Sequence, residues 1–201
     1  MFKILEPYIL AFIPIFVAVD AIGNIPVFVS LAEGMNRKEK QKTIIDSVVT
    51  ATTVALLFMF IGKAVLTTLG ITISDFQIAG GALLFIISVR LLMPGTHKSA
   101  LTNGHGHDKD IGVFPLGTPL ITGPAVLTTT LIALDSYGFM PTFVSLVINM
   151  LIVWLSFIKT DAIMRVMGAG GARAFSKIMF ILLAAIGVMM IRHGIQGAFL
   201  K

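Results

Sequence analysis

The residues best placed to do chemistry lie where an apolar chain should have none. The run Val19-Asp20-Ala21-Ile22-Gly23-Asn24-Ile25-Pro26-Val27-Phe28 puts a carboxylate and a carboxamide in the middle of a long hydrophobic stretch. An ionised carboxylate at membrane depth costs several kcal/mol unless it meets water or a partner. Pro26 donates no hydrogen bond and its ring crowds the preceding turn, which should free the carbonyl of Ile22. Gly23 permits backbone angles that other residues resist, and Asn24 offers donors and an acceptor. Together they predict a short unwound segment, tolerated only where it is buried in protein or lines a wet cavity.

A second run, Pro115-Leu-Gly117-Thr118-Pro119-Leu-Ile-Thr122-Gly123-Pro124-Ala125, repeats the device, with Thr128-Thr129-Thr130 just beyond it. Helix N-termini carry partial positive charge and freed carbonyls partial negative charge. A small zwitterion has one group for each. The candidate substrate-binding residues are Gly23, Asn24, Ile25 and Pro26 from the first break, and Thr118, Thr122, Gly123 and Pro124 from the second. Asp20 is the candidate for coupling a proton or another cation.

The elements that must hold these breaks are membrane helices. Of the 201 residues 56% are hydrophobic and 12% charged, about half the charge of an ordinary soluble domain. Such a chain cannot cover a globule with polar surface and needs lipid as its solvent. Six apolar stretches emerge, at about 5–32, 44–66, 76–93, 113–134, 141–158 and 178–199, each long enough to cross a hydrocarbon core of about 30 Å. The fold class is therefore all-α, a polytopic membrane protein. The first stretch lacks a charged leader and cleavage site and reads as a retained helix.

Lys and Arg cluster between stretches one and two (Arg37, Lys38, Lys40, Lys42), three and four (Lys98, Lys109), and five and six (Lys159, Arg165, Arg173, Lys177). The other two connections have none. This asymmetry places the basic connections in the cytoplasm and both termini outside it, in a multi-pass protein of the cell inner membrane. The net charge of +5 is topology charge, and no nucleic-acid partner is expected.

A shift of 98 residues lays Pro26 on Pro124, Asn24 on Thr122, Asp20 on Thr118 and Gly70 on Gly168. One domain, 1–201, then consists of a repeat at about 1–93, a cytoplasmic linker at about 94–112 and a second repeat at about 113–201. Three spans per repeat force the two halves into opposite orientations, as in inverted-repeat transporters, and paired interruptions in corresponding helices mark a transport site.

Other side chains are weaker candidates. Asp46 and Thr50 suit a gate, and Gln77, Ser88, Asn149 and Trp154 could face the site. The tract His105-Gly-His107-Asp108, with His97 before it, resembles a metal tract in a loop without fixed geometry, so no metal is expected. The chain has no cysteine, hence no thiolate site. Asp20, without a nearby carboxylate or intramembrane histidine, is a poor acid–base pair, and neither an enzyme nor a cofactor is expected.

The first run resembles the N-terminal signature of the MarC family of membrane proteins, although Ala21 stands where that signature usually has Pro. Ile78-Ala-Gly80-Gly81-Ala-Leu-Leu-Phe-Ile-Ile is similar to the family's third-helix pattern, Pro115 to Ala125 to its fourth-helix motif, and Ile178 to Gly194 to its last helix. The resemblance implies six spans. Through members described as carriers of glycine and alanine, it also implies proton-driven transport of small neutral amino acids. The expected partners are such an amino acid, protons or sodium, and membrane lipid, with homo-oligomerisation left open. The alternative is an ion channel or an exporter of another small solute or drug.

Overall fold

A computed structural model describes residues 2–32, 34–93 and 111–199. Every regular element among them is helical: α1 (Phe2–Val19), α2 (Asn24–Leu31), α3 (Arg37–Leu69), α4 (Ile73–Leu92), a wide-turn segment (Gly112–Ile121), α5 (Pro124–Tyr137), α6 (Phe139–Ile158) and α7 (Thr160–Phe199). Five helical stretches are long and apolar enough to cross a membrane. The wide-turn segment and α5, bent by 52° at their junction, make a sixth if counted as one span. The basic residues Lys98 and Lys109 and the histidines His97, His105 and His107 lie outside the described residues.

The helices bury narrow stripes and show the rest to lipid. On α1 the stripe is Ala11, Ile15 and Val19; on α3 it is Ser47, Ala51, Ala55 and Met59; on α6 it is Leu146, Met150, Val153 and Phe157. Spacings of three and four residues put each set on one helix face. The small residues on α3 let neighbouring backbones approach closely, as helix contacts in lipid require. Large side chains such as Val17, Phe60 and Leu155 face outward.

The first span breaks where the sequence predicts, but by another device. Asp20, not Gly23, leaves the right-handed region, with φ of 44°. Aspartate tolerates this left-handed conformation better than most residues. Gly23 keeps helical angles, and its lack of a side chain leaves room for the Asp20 carboxylate, against which a Cβ would collide. Pro26 lies in the first turn of α2, where no N–H is needed. The Ile22 carbonyl is not freed as expected, since it accepts from the Ile25 N–H at 3.2 Å.

Two other boundaries differ from the sequence reading. α3 starts at Arg37, seven residues before the predicted apolar stretch at 44, with Asn36 and Glu39 forming a reciprocal capping box. The residues from Thr160 onward, read as a basic connection, are the start of the 40-residue helix α7. Charged residues interrupt an apolar pattern without interrupting a helix, and this stretch contains no proline to do so. At about 60 Å by helical rise, α7 is twice as long as a hydrocarbon core is thick.

α7 lies along α4, and glycines set their separation. A methyl group added at Gly187 would lie 2.6 Å from the Gly81 carbonyl oxygen, and one at Gly194 the same distance from the Ser74 carbonyl oxygen. The wide-turn segment rests on α3 in the same way, with Gly112 against Asp46, Thr43 and Ser47 and Gly117 against Thr50. The peptide bonds Phe114–Pro115 and Thr118–Pro119 are cis, and Phe114 and Thr118 are extended within the segment.

Candidate functional site

Each break is held by polar groups that would otherwise be left unsatisfied in the hydrocarbon core. At the first, the Gly23 N–H donates to Asp20 Oδ1 at 3.0 Å, and Asn24 Nδ2 donates to the Val19 carbonyl at 2.9 Å. The Asp20 carbonyl accepts from the Asn24 N–H at 3.1 Å. The exposed backbone ends of α1 and α2 are thus paired within one tight turn. At the second, the Thr122 hydroxyl donates 2.9 Å across to the Ala51 carbonyl of α3, anchoring the break to its neighbour. Pro124 occupies the first turn of α5 and fills the space against Gly80 of α4, where any Cβ would collide with its ring.

A cavity of about 450 Å³ lies between the two breaks. Asp20 and Asn24 line it from the first, Pro119 and Gly123 from the second, Thr128 and Thr129 from α5, Gln77 from α4 and His193 from α7. Apolar side chains, among them Leu84, Val126 and Met190, make the remaining wall. A mostly apolar chamber with a few convergent polar groups is the usual form of a small-molecule site. Asn24 and Thr128 are buried, while Asp20, Gln77 and Thr129 are half-buried. The Thr128 hydroxyl is engaged with the Pro124 carbonyl at 2.8 Å.

Of the nine candidate residues, Asp20, Asn24 and Gly123 line this cavity. Gly23 touches it indirectly through its bond to Asp20. Ile25, Pro26, Thr122 and Pro124 are buried in the walls behind it, and Thr118 reaches back toward the Val113 carbonyl. Sequence reasoning missed His193. It stands one residue after Arg192, near the end of the last apolar stretch, where a basic pair reads as an interfacial flank. Asp20 and His193 therefore line one cavity. The periodicity of the last apolar stretch carries no signal for this. The pairing of α4 with α7 is what brings His193 and Gln77 to the same chamber.

Comparison with known proteins adds a family. The model of the MarC family integral membrane protein matches residues 5–199. Two UPF0056 membrane proteins of Methanocaldococcus jannaschii are similar along almost their whole length. One is 34% identical over 98% of this chain and 90% of its own, the other 30% identical over 98% and 99%. A UPF0056 membrane protein of Archaeoglobus fulgidus is 32% identical over 92% of this chain and 90% of its own. No solved structure matches the chain.

Proposed function

The chain belongs to the MarC family of integral membrane proteins, and from that premise we propose that it is a secondary active transporter of small neutral amino acids of the glycine and alanine kind. The reading is carried by the cavity between the two broken spans, which gathers Asp20, Asn24, Gln77 and Thr129 around one chamber. Asp20 would receive the substrate ammonium or a coupling proton, and the amide and hydroxyl groups would receive the carboxylate. About 450 Å³ exceeds the volume of a two- or three-carbon amino acid and leaves room for water around it.

The proposal includes two inverted three-helix repeats and six spans. Its support is a subset of the helix contacts. Exchanging the halves carries the contact of α1 with α6 onto that of the wide-turn segment with α3, and the contact of α2 with α7 onto that of α5 with α4. The pairs α3–α6 and α4–α7 exchange onto themselves. Two surface ion pairs lie near opposite ends of α3. Lys63 meets Asp135 at 2.9 Å near one end of α3, and Lys40 meets Asp161 at 3.4 Å near the other. The shift of 98 residues lays Lys63 on Asp161 and Arg37 on Asp135, so the second pair, made by Lys40 in place of Arg37, matches the first in position along α3 and not residue for residue. Each half can then adopt the other's shape, the basis of alternating access in inverted-repeat transporters. The proposal puts the Lys40 end in the cytoplasm of an inner-membrane protein with both termini outside, because clustered Lys and Arg favour the cytoplasmic side.

Counterflow in proteoliposomes tests this reading. Vesicles loaded with unlabelled alanine or glycine are expected to take up the labelled amino acid transiently, and vesicles without the protein are not. Ionic current without counterflow would mean a channel, and no exchange across a full amino-acid panel would remove the proposed substrate class.

A further inference from the structure

A second cavity, of about 720 Å³, opens at the end of the molecule that carries the basic N-terminus of α3. It is amphipathic in a graded way. Its floor is the stacked pair Phe28 and Phe157, with ring centroids 4.6 Å apart, both buried. Its rim holds Arg37, Lys40 and Asp161. Its open side faces lipid through Ile45, Trp154 and Ile158, which are 54%, 39% and 46% exposed.

The rim carries surplus positive charge. Asp161 is paired with Lys40. Glu39, the nearest acid in sequence, does not line the cavity; its Oε2 accepts from the Asn36 N–H at 2.7 Å. Arg37 makes no ion pair among the described residues. Two cations against one carboxylate leave a surplus of one positive charge beside an apolar trough that is open to lipid.

We propose that this cavity binds an anionic phospholipid, with the phosphate between Arg37 and Lys40 and an acyl chain along Ile45, Trp154 and Ile158. A guanidinium suits a phosphate because it offers paired donors in a fixed fork. A basic pocket between helices at a membrane boundary is a recurrent form of lipid-headgroup site. A free anion would satisfy the rim but leave the apolar wall unused, and a zwitterionic lipid would use the wall but bring its own cation to the rim. The assignment is independent of what the protein transports.

Trp154 is the only tryptophan in the chain and lines this cavity, so its fluorescence reports occupancy directly. The full chain is reconstituted with brominated phosphatidylglycerol or brominated phosphatidylcholine at graded fractions. One surplus charge near the headgroup predicts half-maximal quenching at an about fivefold lower fraction of the anionic lipid. The double variant Arg37→Gln, Lys40→Gln should lose that preference, and Lys63→Gln, at the opposite end, should keep it. Equal quenching of the unmodified protein by the two lipids overturns the proposal, whether or not the double variant folds. Complete relief of quenching by millimolar inorganic phosphate would also overturn it, because the site would then be one for a free anion.

Discussion

Asp20 is both a structural and a chemical residue. Its left-handed backbone turns the chain between α1 and α2, and its carboxylate caps the turn through the Gly23 N–H while lining the cavity. Asn has the same tolerance for that backbone and can keep the cap through its amide oxygen, so Asp20→Asn separates the roles. A one-unit pH gradient is worth about 1.4 kcal/mol per proton, enough for one coupled proton to concentrate alanine about tenfold. With Asp20→Asn that accumulation is expected to vanish while counterflow persists. Undiminished accumulation in the variant would remove Asp20 from coupling. The residue types of the first break were legible in the sequence, because a carboxylate and an asparagine beside a proline in an apolar run have few structural uses. Which residue takes the unusual φ was not. Gly23 is the better left-handed residue in general, but the structure uses it for space, leaving its Cβ position to the Asp20 carboxylate.

At the scale of the elements, the long α4–α7 contact holds part of the chamber's wall, since it brings Gln77 and His193 into its lining. Its tightness depends on glycine. In Gly187→Leu the new side chain meets the Gly81 carbonyl oxygen and the Phe85 N–H within 3 Å, and overpacking of this kind costs about 2 kcal/mol. For a chain of this length that corresponds to a fall of roughly 4–8 °C in the thermal midpoint in detergent. Gly170→Ala, where a methyl group meets open space, should leave the midpoint unchanged or raise it slightly. An equal response of the two variants would contradict a glycine-set contact. The broken spans could be read from their prolines and glycines. The continuity of α7 through 160–177 could not, because charge marks a membrane boundary and carries no information on whether the helix stops there.

At the scale of the whole molecule, the described residues form an all-helical bundle of five or six candidate spans, as composition alone requires. Composition cannot give the partner of each helix. The chamber needs that information, because its lining comes from α1, α2, α4, the wide-turn segment, α5, α7 and the turns at the two breaks. The absence of cysteine makes the protein suited to a direct test of whether this chamber is the substrate site. A single cysteine at the half-buried position Thr129 is labelled in proteoliposomes with a small impermeant thiol reagent, applied from either side. A substrate chamber open to each side in turn should react from both sides, slowed from both by alanine or glycine, with a cysteine at Thr118, outside the chamber, unaffected by either amino acid. Labelling at Thr129 that no small neutral amino acid slows would contradict it.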